Sequence, residues 1–424
     1  MTDAVSTAAG TASPRPGRAP TKWWVVALMF FLGWMFIYAD RTILNPVMSE
    51  IGAEFGLDKA GLGLLNSVFF LVYALVQVPS GMIGDRFGRL KLIVLGFVIF
   101  GLFTGLTGVV GGVGMLFLMR AVAGFGQGFY YGPQYSLSGE MIPGRLRTLG
   151  SAIINSGQAF GISLGLMASS WIAFDLGGGW RAPFYVFAVP TILVGLLMWV
   201  LIREPRAHVD AADAGPKPSV LSLFRVRNLV LTFVMVFCSI YGFFVMITWL
   251  PTYLAEVRGV EASQTGFVSS LVAWTSVPAA LLIAWISDRI GVRKPLLLMV
   301  FPLAIASILL LVLAPSMPLV ILALVMYGFF GKLATDPLLI SLCGLNSPAS
   351  ITASAFGLFN FIGMSSSILA PYVTGLLVDV TGSWNAGFYL AIGLLAIAIV
   401  AALGLRENRP AAPAPSPSDS RERA

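Results

Sequence analysis

The sequence contains little charge. Only 11% of its 424 residues are Asp, Glu, Lys or Arg, whereas about 25% is usual in soluble domains. Hydrophobic residues make up 57% of the chain, and the mean hydropathy is +0.88. Because this composition provides too little polar surface to cover soluble domains, a soluble enzyme, a nucleic-acid-binding protein and a disordered protein are all disfavoured. The composition predicts a polytopic membrane protein.

Cysteine and histidine are also scarce. The two cysteines, Cys238 and Cys343, both lie in apolar runs, which argues against a disulfide framework and against a metal site. The single histidine, His208, lies in a polar linker, so no histidine base is available within the membrane. We therefore expect no enzymatic activity, no cofactor and no metal. The net charge of +7 is spread over short loops, so we expect no nucleic-acid partner either.

Long apolar runs dominate what remains. A membrane-spanning helix needs about 20 apolar residues. Candidate spans are predicted at 23–44, 61–82, 90–111, 114–137, 149–172, 182–202, 228–252, 262–286, 295–314, 317–342, 350–377 and 384–405. These spans predict an all-α membrane protein with twelve transmembrane helices.

The basic residues predict the orientation of these spans. Of the 26 Lys and Arg residues, 20 fall in the segments on the same side as the chain termini, three in the loops of the other side and three within spans. Basic residues are enriched in cytoplasmic loops. We therefore expect both termini in the cytoplasm.

The chain divides into two similar halves. The longest interior polar stretch, Arg203 to Arg227, separates six spans from six, and a basic loop follows the second span of each half. Such a parallel repeat is typical of transporters whose substrate site lies between the halves. The predicted organisation is a disordered cytoplasmic N-terminus (1–22), a six-helix bundle (23–202), a cytoplasmic linker (203–227), a second six-helix bundle (228–405) and a disordered cytoplasmic tail (406–424).

The repeated loop carries a family resemblance. Its first copy reads G-x-x-x-D-R-x-G-R from Gly81 to Arg89, and a degraded copy runs from Asp288 to Lys294. This pattern resembles the signature loop of the major facilitator superfamily. Gly81 would permit close helix packing, and Asp85 could pair with a basic group or a helix end across the interface. The residues assigned to gating in these loops are Gly81, Asp85, Arg86, Gly88, Arg89, Asp288 and Arg289, although the basic ones could simply set topology.

Three charged residues lie deep inside the predicted spans of the first half, where charge is costly and by default marks function. Asp40 and Arg41 are near the outer end of the first span, and Arg120 is at a similar depth on the fourth. One carboxylate and two guanidiniums leave one positive charge uncompensated, which suits a substrate carboxylate. The alternative is a structural pair of Asp40 and Arg120, with Arg41 extending outward to the membrane surface.

Further segments resemble the anion:cation symporter branch, which includes sugar-acid, phthalate and sialin-type carriers. They are Tyr38–Arg41, Phe70–Gly81, Asn155–Gln158 and Phe359–Phe361. The resemblance implies that Arg41 binds a carboxylate and that Asp40 and Arg120 couple binding to protons. The candidate substrate-binding residues are Arg41, Tyr73, Gln158, Asn360, Gln127 and Tyr38. Close members of the branch carry Glu where this chain has Gln127, so Asp40 is the only obvious proton carrier of the first half.

The second half contains one charged pair within a predicted span. Lys332 and Asp336 are four residues apart on a helix, a spacing that allows an ion pair. A structural or gating pair is favoured over a substrate contact. Pro337 follows directly, and we expect it to interrupt the helix, as is frequent in transporters.

The function expected from the sequence is secondary active transport of a small organic anion, with protons as the coupling ion. The substrate would be a sugar acid, an aromatic acid or another carboxylate, and the protein would act as a monomer in the bacterial inner membrane. Spinster-type carriers also have Tyr-x-Asp-Arg in the first helix, so an exporter or a lipid or drug carrier is a second hypothesis. A membrane sensor that has lost transport is the third.

Overall fold

The computed structural model describes residues 21–204, 220–348 and 351–406. The predictions for the two terminal tails and for most of the linker concern residues outside these ranges. Within them the chain is helical almost throughout, and no β-strand occurs, so the all-α fold class is confirmed.

Short turns connect the helices. In chain order the helices are α1 (Trp23–Ile43), α2 (Met48–Phe55), α3 (Lys59–Phe87), α4 (Arg89–Thr107), α5 (Val113–Gln127), α6 (Tyr131–Met141), α7 (Arg147–Ser170), α8 (Ala182–Leu201), α9 (Arg227–Glu256), α10 (Ala262–Ile290), α11 (Lys294–Leu313), α12 (Met317–Phe330), α13 (Lys332–Asn346), α14 (Thr352–Thr381) and α15 (Asn385–Leu403).

Ten helical segments in the described ranges are long and apolar enough to cross a membrane. They match ten of the predicted spans. Of the other two predicted spans, 114–137 corresponds to α5 and α6, and 149–172 corresponds to α7. The first of these is divided into two short helices, and α7 carries polar side chains such as Asn155 and Gln158 along its length. Neither therefore provides an uninterrupted apolar run.

Two predicted spans are discontinuous in the structure. The predicted span 114–137 is interrupted at residues 128–130, between α5 and α6. The predicted span 317–342 is interrupted at Gly331, between α12 and α13. The prediction that Pro337 causes the second interruption is wrong, because Pro337 lies within α13. Gly331 ends α12 because its backbone is extended (ψ −166°) while its N–H still donates to the carbonyl of Tyr327, at 2.7 Å. Such discontinuous helices are a frequent feature of transporter sites.

The helices form two groups, α1–α8 and α9–α15, which meet where α3 packs on α14 and α7 packs on α10. Glycines allow these helices to approach closely. A Cβ placed on Gly63 of α3 would lie 2.2 Å from the carbonyl oxygen of Pro371, and one placed on Gly266 of α10 would lie 2.1 Å from that of Leu166. No side chain fits in either position, so backbone meets backbone along both seams.

The two ends of the molecule differ in how the groups are joined. We call the end that carries Thr21 and Arg406 the basal end and the opposite one the distal end. At the distal end, Asp379 of α14 accepts hydrogen bonds from the backbone N–H groups of Lys59 (3.2 Å) and Ala60 (2.6 Å), the first residues of α3. The Lys59 side chain forms an ion pair with Glu256 at the end of α9. The distal end is therefore held closed by polar contacts between the groups.

Candidate functional site

Asp40 is the centre of a buried polar cluster. It lies in the last turn of α1 and is 1% exposed. Thr104 of α4 donates a hydrogen bond to its Oδ1 at 2.5 Å, and the amide of Gln127, at the end of α5, donates to its Oδ2 at 2.8 Å. Nη1 of Arg120 lies 3.9 Å from Oδ1. Helices α1, α4 and α5 thus hold this carboxylate in place.

Arg41 lies beside this cluster and is held mainly by aromatic rings. Its Nε donates to Oε1 of Gln127 at 2.9 Å. Its Cζ lies 4.5 Å from the ring centre of Tyr73, 4.8 Å from that of Tyr38 and 5.6 Å from that of Phe70. Its Nη2 is buried without a hydrogen-bond partner. The guanidinium therefore retains donors that could bind an anion.

Arg120 is a second buried cation. It is fully buried, and none of its three side-chain nitrogens makes a hydrogen bond. Its Cζ lies 4.5 Å from the ring centre of Phe69. Together with Arg41 it faces one carboxylate, that of Asp40, so the cluster carries an excess positive charge when all three groups are ionised. Buried charge without a counterion is costly, and an anion bound here would balance it.

Arg41 does not extend to a membrane surface. It is 5% exposed, which contradicts the alternative in which this side chain reaches outward. The same alternative also predicted an ion pair between Asp40 and Arg120, and this ion pair is present. The cluster therefore holds one cation paired with Asp40 and a second cation, Arg41, whose Nη2 has no partner.

A small cavity borders Arg41 between the two helix groups. Tyr38 and Phe70 line it from the first group, and Phe243, Phe244 and other residues of α9 line it from the second. The cavity has room for about one water molecule. A larger molecule would reach Arg41 only if the two groups move apart.

A chain of hydrogen bonds connects the site to α14. Nε2 of Gln77 donates to the hydroxyl of Tyr73 at 2.9 Å, and Nδ2 of Asn360 donates to Oε1 of Gln77, also at 2.9 Å. Sequence reasoning selected Tyr73 and Asn360 but not Gln77. The available signal was its position four residues after Tyr73 on α3, which places both side chains on the same helix face.

Gln127, predicted to bind the substrate, is instead hydrogen-bonded to groups of the protein. Its Oε1 accepts from Arg41, and its amide nitrogen donates to Asp40 and, at 3.5 Å, to the carbonyl of Ile37. The side chain is fully buried. Its polar atoms are committed to the protein, so Gln127 positions the two charged residues and is not itself directed to the cavity.

Gln158 remains separate from the cluster. It lies half-buried on α7, the helix that packs along α1. Among the residues that the structure describes, no hydrogen bond joins Gln158 to the charged groups. Its assignment to the substrate stays a prediction.

Lys332 and Asp336 form the expected ion pair on α13, with Nζ 2.6 Å from Oδ2. Nζ of Lys332 also lies 5.5 Å from the ring centre of Phe243, which lines the cavity. The pair therefore lies beside the cavity, across it from the Arg41 cluster. Whether it takes part in gating stays a prediction.

The signature loop connects α3 and α4 at the basal end. Gly88 ends α3 with φ +101°, a conformation that favours glycine. A Cβ placed on Gly81 would meet no atom within 4 Å, although one placed on Gly132 of α6 would lie 3.8 Å from the Cα of Gly81. The gating role of Gly81 stays a prediction. The side chain of Asp85 lies outside what the structure describes, so its predicted pairing stays a prediction.

The basic residues of the loop have partners near it. Arg89 forms an ion pair with Glu140 of α6. Glu204, which sequence reasoning did not select, accepts hydrogen bonds from the backbone N–H groups of Arg89 (2.8 Å) and Leu90 (3.1 Å). It thereby satisfies donors at the start of α4 that have no partner within the helix. Arg86 lies over the ring of Phe87, with its Cζ 5.7 Å from the ring centre.

In the degraded second copy, Asp288 and Arg289 are exposed. The Cζ of Arg289 lies 4.1 Å from the ring centre of Trp285, and Asp288 makes no ion pair within the described part of the chain. The gating roles predicted for both stay predictions.

Metal-ligating residues do not gather in the described ranges: no group of three or more His, Cys, Asp or Glu side chains could hold a metal ion there. Cys238 and Cys343 are both buried and free.

Known proteins of similar sequence are anion transporters by name. The chain is 26% identical to the probable galactarate/D-glucarate transporter of Bacillus subtilis (strain 168), covering 91% of each protein. It is 27% identical to the probable sulfoacetate transporter of Cupriavidus necator, covering 89% of this chain and 92% of that one. It is 26% identical to the voltage-gated purine nucleotide uniporter of Mus musculus, covering 93% and 91%.

Solved structures share the fold. A bacterial homologue of the human lysosomal transporter Spinster, in an inward-facing and occupied conformation, aligns with a TM-score of 0.75 at 19% identity, over 92% of this chain and 97% of that one. The D-xylose-proton symporter aligns with a TM-score of 0.75 at 17% identity, over 90% and 96%.

The model of the protein family described as the Major Facilitator Superfamily matches residues 30–371 and, in a second match, residues 262–424. The first match alone includes most of the described helices and the whole Arg41 cluster. The chain belongs to the major facilitator superfamily and is a multi-pass integral membrane transporter.

Proposed function

We propose that this protein transports small organic anions across the bacterial plasma membrane by alternating access, and that Arg41 binds the carboxylate. The observation that carries the proposal is a buried guanidinium with an unpartnered Nη2 beside the cavity between the two helix groups. Arg presents a planar fork that matches a carboxylate. The names of the three relatives support an anion, since galactarate, sulfoacetate and purine nucleotides are all negatively charged.

The closed distal end gives the proposal a direction of access. The contacts of Asp379 and Lys59 close the distal end in this conformation. We infer that substrate reaches Arg41 from the basal end here, and that the second conformation breaks the distal contacts and opens that end instead. The membrane arrangement that goes with this is twelve spans in two six-helix bundles, both termini in the cytoplasm, acting as a monomer.

Proton coupling is assigned to Asp40, with Arg120 as its partner. Protonation of Asp40 would remove the negative charge that faces Arg41 and Arg120, so the site would become more attractive to an anion. By reciprocity a bound anion would favour protonation of Asp40. Because the proton and the anion each favour binding of the other, we expect both to cross the membrane in the same direction.

The Asp40 assignment predicts the behaviour of Asp40→Asn in proteoliposomes. The variant has no titratable group at this position, so uptake driven by a pH gradient is expected to stop while exchange of labelled for unlabelled substrate continues. Asp175→Asn, at an exposed site, is the matched control and should resemble the parent. Persistent pH-driven uptake by Asp40→Asn would assign proton transfer to another residue.

The proposed function is tested by thermal unfolding of the purified protein with a panel of carboxylates at two pH values. A specific ligand at 100 times its Kd raises the stability by about 2.7 kcal/mol. We expect at least one carboxylate to do so for the parent and for Arg145→Gln, an exposed control, but not for Arg41→Gln. Stabilisation by lipids or cationic drugs and by no carboxylate would favour the exporter hypothesis instead.

A further inference from the structure

A row of aromatic rings leads from Arg41 towards the basal end. Trp34 and Tyr38 precede Arg41 on α1 by seven and three residues, so all three lie along one side of that helix. The ring centres of Trp34 and Tyr38 are 5.8 Å apart. Trp34 is 6.0 Å from Tyr131, and Tyr131 is 4.9 Å from Tyr135, both on α6. We call Trp34, Tyr38, Tyr131 and Tyr135 the aromatic wall.

The aromatic wall faces the interface between the helix groups. Tyr38 lines the cavity between the groups, together with Phe243 and Phe244 of α9. Tyr135 is 37% exposed, and Tyr131 is half-buried. Tyr38 joins the wall to the charged cluster, because its ring also lies 4.8 Å from the Cζ of Arg41. A molecule whose carboxylate is bound by Arg41 would therefore lie against these rings.

Polar groups beside Arg41 are largely committed to the protein. Nδ2 of Asn45 donates to the carbonyl of Ile247 at 2.9 Å, and the hydroxyl of Thr42 donates within α1. The rest of the cavity wall is apolar apart from the hydroxyl groups of Tyr38 and Thr248. A sugar acid would bring several hydroxyl groups here, and each one buried without a partner loses its hydrogen bonds to water. A planar aromatic ring makes no such demand.

We propose that the substrate is an aromatic carboxylate, with its carboxylate on Arg41 and its ring against the aromatic wall. This inference rests on the proposed anion transport and specifies its substrate class. It differs from the sugar acids named for the Bacillus subtilis relative. Tyr131 is the positioning residue for the ring, because it lies between Trp34 and Tyr135.

The test is equilibrium binding to the purified full-length protein, measured with benzoate, 4-hydroxybenzoate, cyclohexanecarboxylate and D-glucarate. Cyclohexanecarboxylate is the matched ligand, since it has the charge and nearly the size of benzoate but no π-system. An aromatic pair adds interaction beyond the area it buries. We expect the two aromatic acids to bind about three- to tenfold more tightly than cyclohexanecarboxylate, and D-glucarate to bind more weakly still.

Variants at Tyr131 separate the ring from its hydroxyl group. Tyr131→Leu should bring benzoate down to the affinity of cyclohexanecarboxylate and leave the latter within twofold of the parent. Tyr131→Phe should keep the preference for the aromatic acid. Equal losses in both variants would contradict ring stacking, because the hydroxyl group would then be the contact.

The outcomes also separate this inference from the proposed function. Binding of D-glucarate that equals or exceeds binding of benzoate would overturn the aromatic substrate class and leave anion transport in place. Binding of none of the four acids by protein that unfolds cooperatively would count against both.

Discussion

At the scale of single residues, the site depends on the balance of three charges, two of which share one amide. Gln127 accepts from Arg41 and donates to Asp40, so its two polar atoms hold a cation and an anion in fixed places. A carboxylate at this position could still accept from Arg41 but could not donate to Asp40. The presence of Gln rather than Glu therefore sets how many protons this cluster can hold.

This arrangement predicts the effect of Gln127→Glu. The new carboxylate and that of Asp40 would face the two guanidiniums of Arg41 and Arg120, so both can ionise in the empty site and both would take up a proton when an anion binds. The variant should therefore carry one additional proton per cycle. Reversal potentials in proteoliposomes are expected to give a proton-to-substrate ratio one higher than that of the parent.

Gln127→Met, which is similar in length and cannot titrate, is the control for that measurement. It should transport with the parent ratio even if its rate falls. A ratio that is the same in the Glu variant and the parent would contradict the placement of the proton at this cluster.

The sequence singled out the charged residues of the cluster but not every polar residue that is hydrogen-bonded around it. Asp40, Arg41 and Arg120 were found because charged groups are rare within spans. Gln77 and Thr104 were missed because amides and hydroxyls occur on many helix faces, and only the positions of Tyr73, Asn360 and Asp40 show which of them matter.

At the scale of secondary-structure elements, the distal contact joins the end of one helix to the beginning of another. The first N–H groups of a helix lack partners within it and carry the positive end of the helix dipole. Asp379 supplies acceptors for two of them at the start of α3, although it belongs to α14. The contact exists only while the two helix groups are together at this end.

We therefore expect Asp379→Asn to favour the conformation that is open at the distal end. The amide keeps one acceptor oxygen but removes the negative charge from the positive end of the α3 dipole, which costs about 0.3–1 kcal/mol and changes the ratio of the two conformations roughly two- to fivefold. Distances between spin labels on Leu57→Cys and Thr381→Cys, measured by pulsed electron paramagnetic resonance, should shift to a longer population. The native cysteines are both buried, so they should not take up the label.

Asp58→Asn is the control for the distance measurement, because Asp58 also accepts a hydrogen bond from a backbone N–H at the start of α3, that of Gly61, but belongs to the same helix group. Its distance distribution should match that of the parent. If Asp379→Asn leaves the distribution unchanged as well, the cap does not contribute to closing the distal end.

The membrane-spanning helices could be predicted from the sequence where hydropathy alone determines their position. Ten apolar runs became long helices, but the interruption of the tenth span was placed at Pro337 when it occurs at Gly331. A helix breaks where the backbone leaves helical ψ, and a proline within the helix can be accommodated by giving up one hydrogen bond. That choice depends on packing around Tyr327, which the sequence does not display.

At the scale of the whole molecule, the site lies where two separately packed helix groups meet. Arg41 and its ring neighbours belong to the first group, whereas Phe243, Lys332 and Asn360 belong to the second. The repeat in the sequence predicted two halves with a site between them. It did not identify the seams, because these depend on backbone contacts at glycines such as Gly63 and Gly266 that resemble other glycines in the spans.

The central claim is that the charge of Arg41 recognises the charge of the substrate. The most direct measurement compares the affinity for a bound carboxylate with that for its uncharged amide, in the parent and in Arg41→Gln. A hydrogen bond to a charged group contributes about 1.5–3 kcal/mol, so the parent should prefer the carboxylate by roughly 10- to 100-fold. The account predicts that this preference disappears in Arg41→Gln. An undiminished preference in the variant would contradict it and assign the anion to another residue.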